Sequence, residues 1–421
     1  MAKGRIKYLL LLLLNIVLYG LLGKNIIFFL ITLVYTYLFA NILFSNKKKI
    51  LLVIFIIFTI FPLILFKYLN NFLNISMLVP LGISYYTLTC LSFLIDNYQS
   101  KYKKFPSFLD YALYISYFPT LFIGPINRYK EFKSEIENIG IKKENIFPGF
   151  LRISVGLIKK YIIANKLNVI IIFLNSHLDY QGGYVLLGLI IYFIMLYCDF
   201  SGGIDIVLGI SKCFNVNLCE NFNRPYLSVS VKDFWRRWHI SLGSWLKDYV
   251  YIPLGGNRKG LIRSKINIVI TFLVSGLWHG INYLLWGLIN GILVSFSKET
   301  KYHKLNIFIT FVLISCLWIF FIYPDTLTAL KMFMSIFTKF DLTFIKNVFT
   351  LGLNIYDYIV IFLMILLVLF YEAKKNILDK KINTIKLEYQ LMIILSLIFI
   401  VLLFGSYGLD VNSSNFIYGN F

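Results

Sequence analysis

Charge is scarce in this chain, and acid is scarcest. Only 14% of its 421 residues are charged, with 20 acidic side chains against 41 basic ones. A water-soluble domain carries roughly a quarter charged residues, so the composition excludes an ordinary globular enzyme. Histidine occurs four times and cysteine five times. Cys90, Cys198 and Cys316 sit inside apolar stretches, and Cys213 and Cys219 have no histidine near enough to complete a zinc pattern. A disulfide framework and a standard zinc centre are therefore not expected. Paired catalytic carboxylates, an HExxH helix, a GxSxG elbow and a Walker loop are also missing, which leaves no metal site and no nucleotide-binding fold to propose. The basic residues flank apolar runs and form no soluble recognition motif. The net charge of +21 therefore points to anionic lipid and membrane orientation, with no nucleic acid as partner.

Apolar residues dominate instead: 59% of the chain is hydrophobic, 18% is aromatic, and the mean hydropathy is +0.76. Apolar windows lie at 8–22, 26–44, 50–66, 76–95, 107–123, 153–174, 184–200, 266–295, 305–323, 355–371 and 388–405. This pattern predicts an all-α polytopic membrane protein of about 9–12 transmembrane helices, forming one membrane-embedded domain over 1–421. Lys3, Arg5 and Lys7 precede a leucine run that reads as an uncleaved first helix. Those residues, Lys47–Lys49 and Lys101–Lys104 are each two windows apart, as expected for cytoplasmic loops. The basic stretch from Arg128 to Lys143 follows after only one window, so one segment must enter and return on the same side. The candidates are 76–95, with Pro80 and Gly82 at its start, and 107–123, with Pro119 inside and Gly124-Pro125 after it.

Between Asn221 and Lys265, basic residues outnumber Asp233 and Asp248, and Trp235, Trp238 and Trp245 are interleaved. Phe234, Trp238, Leu242 and Trp245 recur at helical spacing, which predicts one or two amphipathic helices in the headgroup region. The histidines divide by setting. His177 and His303 stand in polar connectors and read as solvated. His279 lies in the apolar run TFLVSGLWHGINYLLWG, where an ionisable group is a functional candidate. Read as one helix, the run puts Ser275 at i−4, Asn282 at i+3 and Tyr283 at i+4 from His279, able to select an imidazole tautomer. Gly276 and Gly280 allow close approach. His239 follows Arg236, Arg237 and Trp238, and the two guanidinium groups are expected to keep it neutral. A neutral histidine in a dry channel can take a proton from a hydroxyl as that hydroxyl attacks an activated acyl group.

At these residues the chain resembles the membrane-bound O-acyltransferase (MBOAT) family. The matching stretches are LVPLGISYYTLTCLSFLIDNY (78–98), FPTLFIGPINRYKEF (118–132), YCDFSGGIDIVLGI (197–210), NFNRPYLSVSVKDFWRRWHISLGSWLKDYVYIPLGGNRKG (221–260) and SGLWHGINYLLWG (275–287). They cover most of a core at about 78–295. The PLGGNRKG ending is most similar to the alginate O-acetylation branch; the branch that D-alanylates teichoic acids shares RWHISL and WHG.

The resemblance implies a ring of tilted helices with re-entrant and interfacial pieces around a central catalytic channel. It puts the family's essential histidine on His279 and its second histidine on His239. Arg236, Arg237 and Trp238 would then position an anionic donor or polymer beside them. The implied reaction moves an acetyl group from a cytoplasmic donor, acetyl-CoA or an acyl carrier protein thioester, to hydroxyls of an extracytoplasmic cell-surface polysaccharide. The donor is a cosubstrate and no bound cofactor is expected. D-Alanyl transfer toward teichoic acid is the alternative within the family, and a membrane transporter is the alternative of another class. Implied partners are an extracytoplasmic or membrane-anchored accessory acetylation protein, a cytoplasmic acyl carrier protein and membrane lipid, with the chain in the bacterial cytoplasmic membrane.

Overall fold

The computed structural model describes residues 2–22, 25–69, 79–121, 123–177, 180–298, 301–381 and 384–407. Positions 76–78 of the window 76–95, and with them Leu78 of the first matching stretch, lie outside the described residues. Among the described residues every regular element is helical. Among them, eight helices are long and apolar enough to cross a membrane, with Ile281–Ser295 and Thr326–Thr338 as shorter apolar pieces. The chain is a multi-pass α-helical membrane protein, each span satisfying its backbone groups within its own helix in hydrocarbon.

Three helices open the chain: α1 (Ala2–Leu22), α2 (Ile26–Ser45) and α3 (Lys49–Ile64), the last running on as a π-helical turn, Leu65–Leu69. They pack on α4 (Ile83–Tyr98) and on the nine-residue α5 (Phe108–Ser116). Helix α5 stops halfway along α1, where Asn15 Nδ2 donates to the Ser116 hydroxyl at 3.3 Å. The chain then turns back: the Tyr114 hydroxyl donates to the Asn127 carbonyl at 2.8 Å, and Lys133, on α6 (Tyr129–Ile136), pairs with Asp110 at 2.8 Å. Window 107–123 thus enters and returns on one face, as the charge pattern required. On that face Lys133 lies over the Tyr8 ring, 5.4 Å from its centroid, and Lys47 donates to Ser100. Four basic stretches that are far apart in sequence therefore share one face.

The middle of the molecule is a close-packed pair. Helix α7 (Lys143–Leu157) continues through a π-helical stretch, Ile158–Ala164, into α8 (Asn165–Ser176), and α9 (Gly183–Cys213) runs antiparallel to it. Gly149 and Gly156 meet Gly209 and Gly202: a Cβ on Gly156 would lie 2.6 Å from the Gly202 carbonyl oxygen, and one on Gly209 2.7 Å from that of Gly149. Only backbone fits along this seam. Ion pairs flank it: Lys159 bonds Asp205 at 2.7 Å and Glu372 at 2.6 Å, Arg152 bonds Asp205 at 2.9 Å, and Lys160 bonds Asp199 at 2.5 Å. Asp199 and Asp205 serve this network.

Two short helices follow, α10 (Val231–Arg237) and α11 (Ile240–Leu246), then α12 (Leu261–His279) and α13 (Leu284–Ser295). The window 266–295 reads in sequence as one apolar run, but it folds as an antiparallel hairpin. Gly276 and Gly287 abut across it, and the Ser295 hydroxyl donates to the Lys265 carbonyl at 3.3 Å. The break lies at Gly280, whose φ of 148° suits glycine alone. The remaining helices, α14 (His303–Leu317), α15 (Thr326–Thr338), α16 (Ile355–Lys381) and α17 (Leu387–Phe404), wrap the α7–α9 side.

Candidate active site

Helix α10 begins at Ser230, whose hydroxyl accepts from the Asp233 backbone N–H at 3.2 Å, an N-cap that fixes its start. It ends at Arg237. Trp238 is extended, and His239 takes up a left-handed conformation (φ 46°, ψ 52°) before α11. Such a conformation costs about 1 kcal/mol or more outside glycine and persists only where neighbours enforce it. Here the segment from Asn221 enforces it. The Asn223 N–H donates to the Arg237 carbonyl, the Ile240 N–H to the Asn221 carbonyl and the Ser241 N–H to Asn221 Oδ1, each at 3.0 Å.

The aromatic pattern turns inward. Phe234, Trp238, Leu242 and Trp245 are all buried against protein, where the sequence suggested headgroups. The indole N–H of Trp245 donates to the Leu88 carbonyl at 3.0 Å and that of Trp278 to the Ser84 carbonyl at 3.4 Å, while the Tyr249 hydroxyl bonds Asp96 at 2.9 Å. These three partners mark depths along α4. From Asp96, near the basic face, Leu88 is about 12 Å and Ser84 about 18 Å farther in, at 1.5 Å per residue.

A cavity of about 600 Å³ lies between α10–α11 and the α12–α13 hairpin, and both His239 and His279 face it. Trp278 sits between them, its ring 6.2 Å from the His239 ring and 4.7 Å from that of His279. Trp286 and Phe321 close around His279 at 5.5 and 5.6 Å. Lys232, Arg236 and Lys247 stand on the cavity wall, and among the described residues no carboxylate does. Trp238 and Ser275 line it as well.

The other sequence candidates sit differently. Arg237 is held by Asp233 at 2.9 Å and is not part of the wall. The helical face imagined around His279 holds for Ser275 only, because Gly280 ends α12 at His279. Asn282 is exposed at the turn, and Tyr283 is buried with its ring 6.3 Å from the His279 ring, outside the cavity wall. His177 and His303 are exposed, as expected. Burial pushes the His239 imidazole down to about 3. The cause is desolvation; the charges of Arg236 and Arg237, which the sequence suggested, are not what lowers it.

Two residues with little signal in the sequence also support the site. Lys67 donates to the Trp278 carbonyl and Tyr68 to the Leu277 carbonyl, capping the C-terminal end of the helix that carries His279. The available signal was a lone lysine directly after the window 50–66.

The profile of MBOAT, the membrane-bound O-acyltransferase family, matches residues 21–373. The chain is 34% identical over 282 residues to the probable alginate O-acetylase of Pseudomonas syringae pv. tomato, covering 65% of this chain and 54% of that protein. It is 34% identical over 302 residues to the peptidoglycan O-acetyltransferase of Helicobacter pylori, covering 62% and 57%. With the teichoic acid D-alanyltransferase of Bacillus subtilis it shares 31% over 244 residues, covering 53% and 61%. The matches span less than two thirds of each of these relatives. With most of its length matched to the family profile, this chain belongs to the membrane-bound O-acyltransferase family.

Proposed function

We propose that this protein transfers an acetyl group from an anionic thioester donor to hydroxyl groups of a cell-surface polysaccharide. The observation that carries the reading is the cavity itself: three cations and no carboxylate on its wall, with two buried histidines along it. Such a wall attracts a phosphate-bearing donor, either acetyl-CoA or an acyl carrier protein bearing its thioester. The positive-inside rule puts the face where Lys47, Lys101 and Lys133 gather in the cytoplasm of a bacterial cytoplasmic membrane, so the donor enters from there.

His279 acts as general base. Its imidazole takes the proton of an acceptor hydroxyl while that oxygen bonds the thioester carbonyl carbon. The tetrahedral oxyanion collapses, the C–S bond breaks, and the departing thiolate receives the proton from the imidazolium. His239, neutral at physiological pH, can donate a hydrogen bond to the oxyanion or the donor carbonyl. Arg236 and Trp238 position the donor, and Ser275 orients His279; Tyr283 packs its ring 6.3 Å from the imidazole, and Arg237 and Asn282 lie outside the cavity wall. An accessory acetylation protein on the outer side, membrane-anchored or secreted, would complete delivery to the polymer.

The test is to supply membranes containing the protein with labelled acetyl and D-alanyl donors and to identify the ester on isolated wall polymers by mass spectrometry. An O-acetyl sugar that depends on His279 is the expected product. A D-alanyl ester on teichoic acid without acetyl ester overturns the donor and acceptor. Passage of an intact substrate with no acyl transfer overturns the enzyme reading in favour of transport.

A further inference from the structure

The His239 turn has a second cavity behind it. Its volume is about 440 Å³, and its walls come from α7, the π-helical stretch after it, α9, the segment 220–224 and α16. Neither histidine faces this space. Ile240 lines both cavities, so the turn is the partition between them. Among the lining residues Glu220 is exposed and Arg224 and Lys375 are half-buried, which makes theirs the open side, or mouth. The carboxyl end of α9 near it packs on the basic stretch 128–143, where the Gly140 N–H donates to the Phe214 carbonyl at 3.0 Å.

Seven charged side chains line this space, and six of them are tied to one another. Arg152 bonds Asp205 at 2.9 Å and Glu220 at 2.5 Å, Lys159 bonds Asp205 and Glu372, and Lys375 bonds Glu220 at 2.8 Å. Glu372 also accepts from the Tyr197 and Tyr226 hydroxyls at 2.6 and 2.7 Å. Three cations and three carboxylates cancel. The seventh, Arg224, takes part in none of the ion pairs found among the described residues. It is half-buried and held left-handed (φ 44°, ψ 61°), one residue from the strands of backbone that fix the His239 turn.

Deeper in the same space is Ser201, 2% exposed, whose hydroxyl has no hydrogen-bond partner among the described residues. Leaving a buried hydroxyl unbonded costs about 1–3 kcal/mol, which a ligand atom can recover. A surplus guanidinium beside a neutralised network is an anion receptor, and its fork matches phosphate. The carboxylate oxygens at the mouth can accept hydroxyl donors from the same ligand.

We propose that this cavity is a second binding site, for a phosphate ester that also carries hydroxyl groups. Arg224 pairs with the phosphate, and Ser201 bonds an oxygen deeper in. Two sources present that chemistry at a basic membrane face: the headgroup of an anionic glycerophospholipid and a soluble glycerol phosphate.

The experiment uses the full chain. In neutral detergent it is titrated with glycerol 3-phosphate and with inorganic phosphate; in nanodiscs, phosphatidylcholine is compared with the same lipid containing phosphatidylglycerol. Phosphorus NMR line widths and the melting temperature report binding. Saturable binding of glycerol phosphate assigns the soluble source, and selective immobilisation of phosphatidylglycerol assigns the lipid. Either is expected to weaken at least tenfold in Arg224→Gln, less in Arg224→Lys and several-fold in Ser201→Ala, and to survive Arg236→Gln in the histidine cavity. Inorganic phosphate is expected to bind more weakly than glycerol phosphate; equal affinity removes the hydroxyl part of the assignment. Binding of no probe, equal binding by wild type and Arg224→Gln, or loss in Arg236→Gln alone overturns the site. Should Arg224→Gln fail to fold, unchanged affinity in well-folded Arg224→Lys and Ser201→Ala overturns it as well.

Discussion

Beside the α7–α9 seam, Arg152, Lys159 and Lys160 each have a carboxylate within 3 Å. In the histidine cavity Lys232, Arg236 and Lys247 face a wall with none. Both regions hold basic side chains on short stretches of helix, yet they use them for opposite ends. Paired charges in a low-dielectric interior balance one another: they fix the register of helices and present no net charge to a ligand. Unpaired cations keep their attraction for whatever anion enters. The contrast separates frame from site more clearly than burial does, since both regions are buried in part.

Breaking the paired region has the largest expected effect. Lys159→Met leaves Asp205 and Glu372 facing each other without their shared cation, and removing one partner of a buried pair costs about 3–5 kcal/mol. Denaturant titration in detergent measures it; wild-type stability would show that the network is solvated. Next comes the site. His279→Ala is expected to keep the melting temperature near wild type and to lower acyl transfer by about a hundredfold or more, the scale of a lost acid–base group. Turnover at the wild-type rate in that variant rejects the general-base role.

Acid sharpens the comparison further. The His239 imidazole sits at about 3 in the folded protein against an ordinary 6.5, so between those values the unfolded chain binds a proton that the native one does not. Its contribution to stability is full above pH 6.5 and is lost as pH falls toward 3, at about 1.4 kcal/mol per pH unit. Going from pH 6.5 to 5 should therefore cost about 2 kcal/mol from this group, and the His239→Gln variant should show a flatter stability profile over that interval. Identical acid sensitivity in both proteins contradicts the burial of this ring as the cause. The smallest effects belong to the unpaired cations one at a time. Lys232→Gln, Arg236→Gln and Lys247→Gln should each raise KM for the donor by about threefold to tenfold with kcat and stability little changed. High salt should shrink the difference. A loss of stability instead would place these residues with the frame.

Much of the frame is legible in the sequence because bilayer physics writes it in long symbols. Apolar runs mark the spans, and a single irregularity in the spacing of basic clusters requires that 76–95 or 107–123 turn back; the contacts of Asp110 and Tyr114 single out 107–123. His279 and His239 are legible through the family resemblance. The break at Gly280 is not, because the residues on either side are uniformly apolar and a hairpin of two packed helices has the same composition as one long helix. Asn282 and Tyr283 therefore read as sharing a helical face with His279, which the hairpin does not preserve. Nor can spacing reveal that Lys159 meets Glu372, more than two hundred positions away, or that Lys67 caps the helix carrying His279. Such pairings exist only once the helices have chosen their neighbours.

The glycine seam between α7 and α9 has a mechanical consequence. Each glycine notch receives the opposing backbone at a distance that no side chain tolerates, so sliding α9 by one helical turn would drive Ile206 or Cys213 into a space built for a peptide group. The pair cannot shear in small steps; it is either locked or apart. Any displacement that accompanies a turnover has to be taken up elsewhere, by the α12–α13 hairpin with its break at Gly280, or by the short helices around His239, while the seam stays as the fixed jaw against which they move.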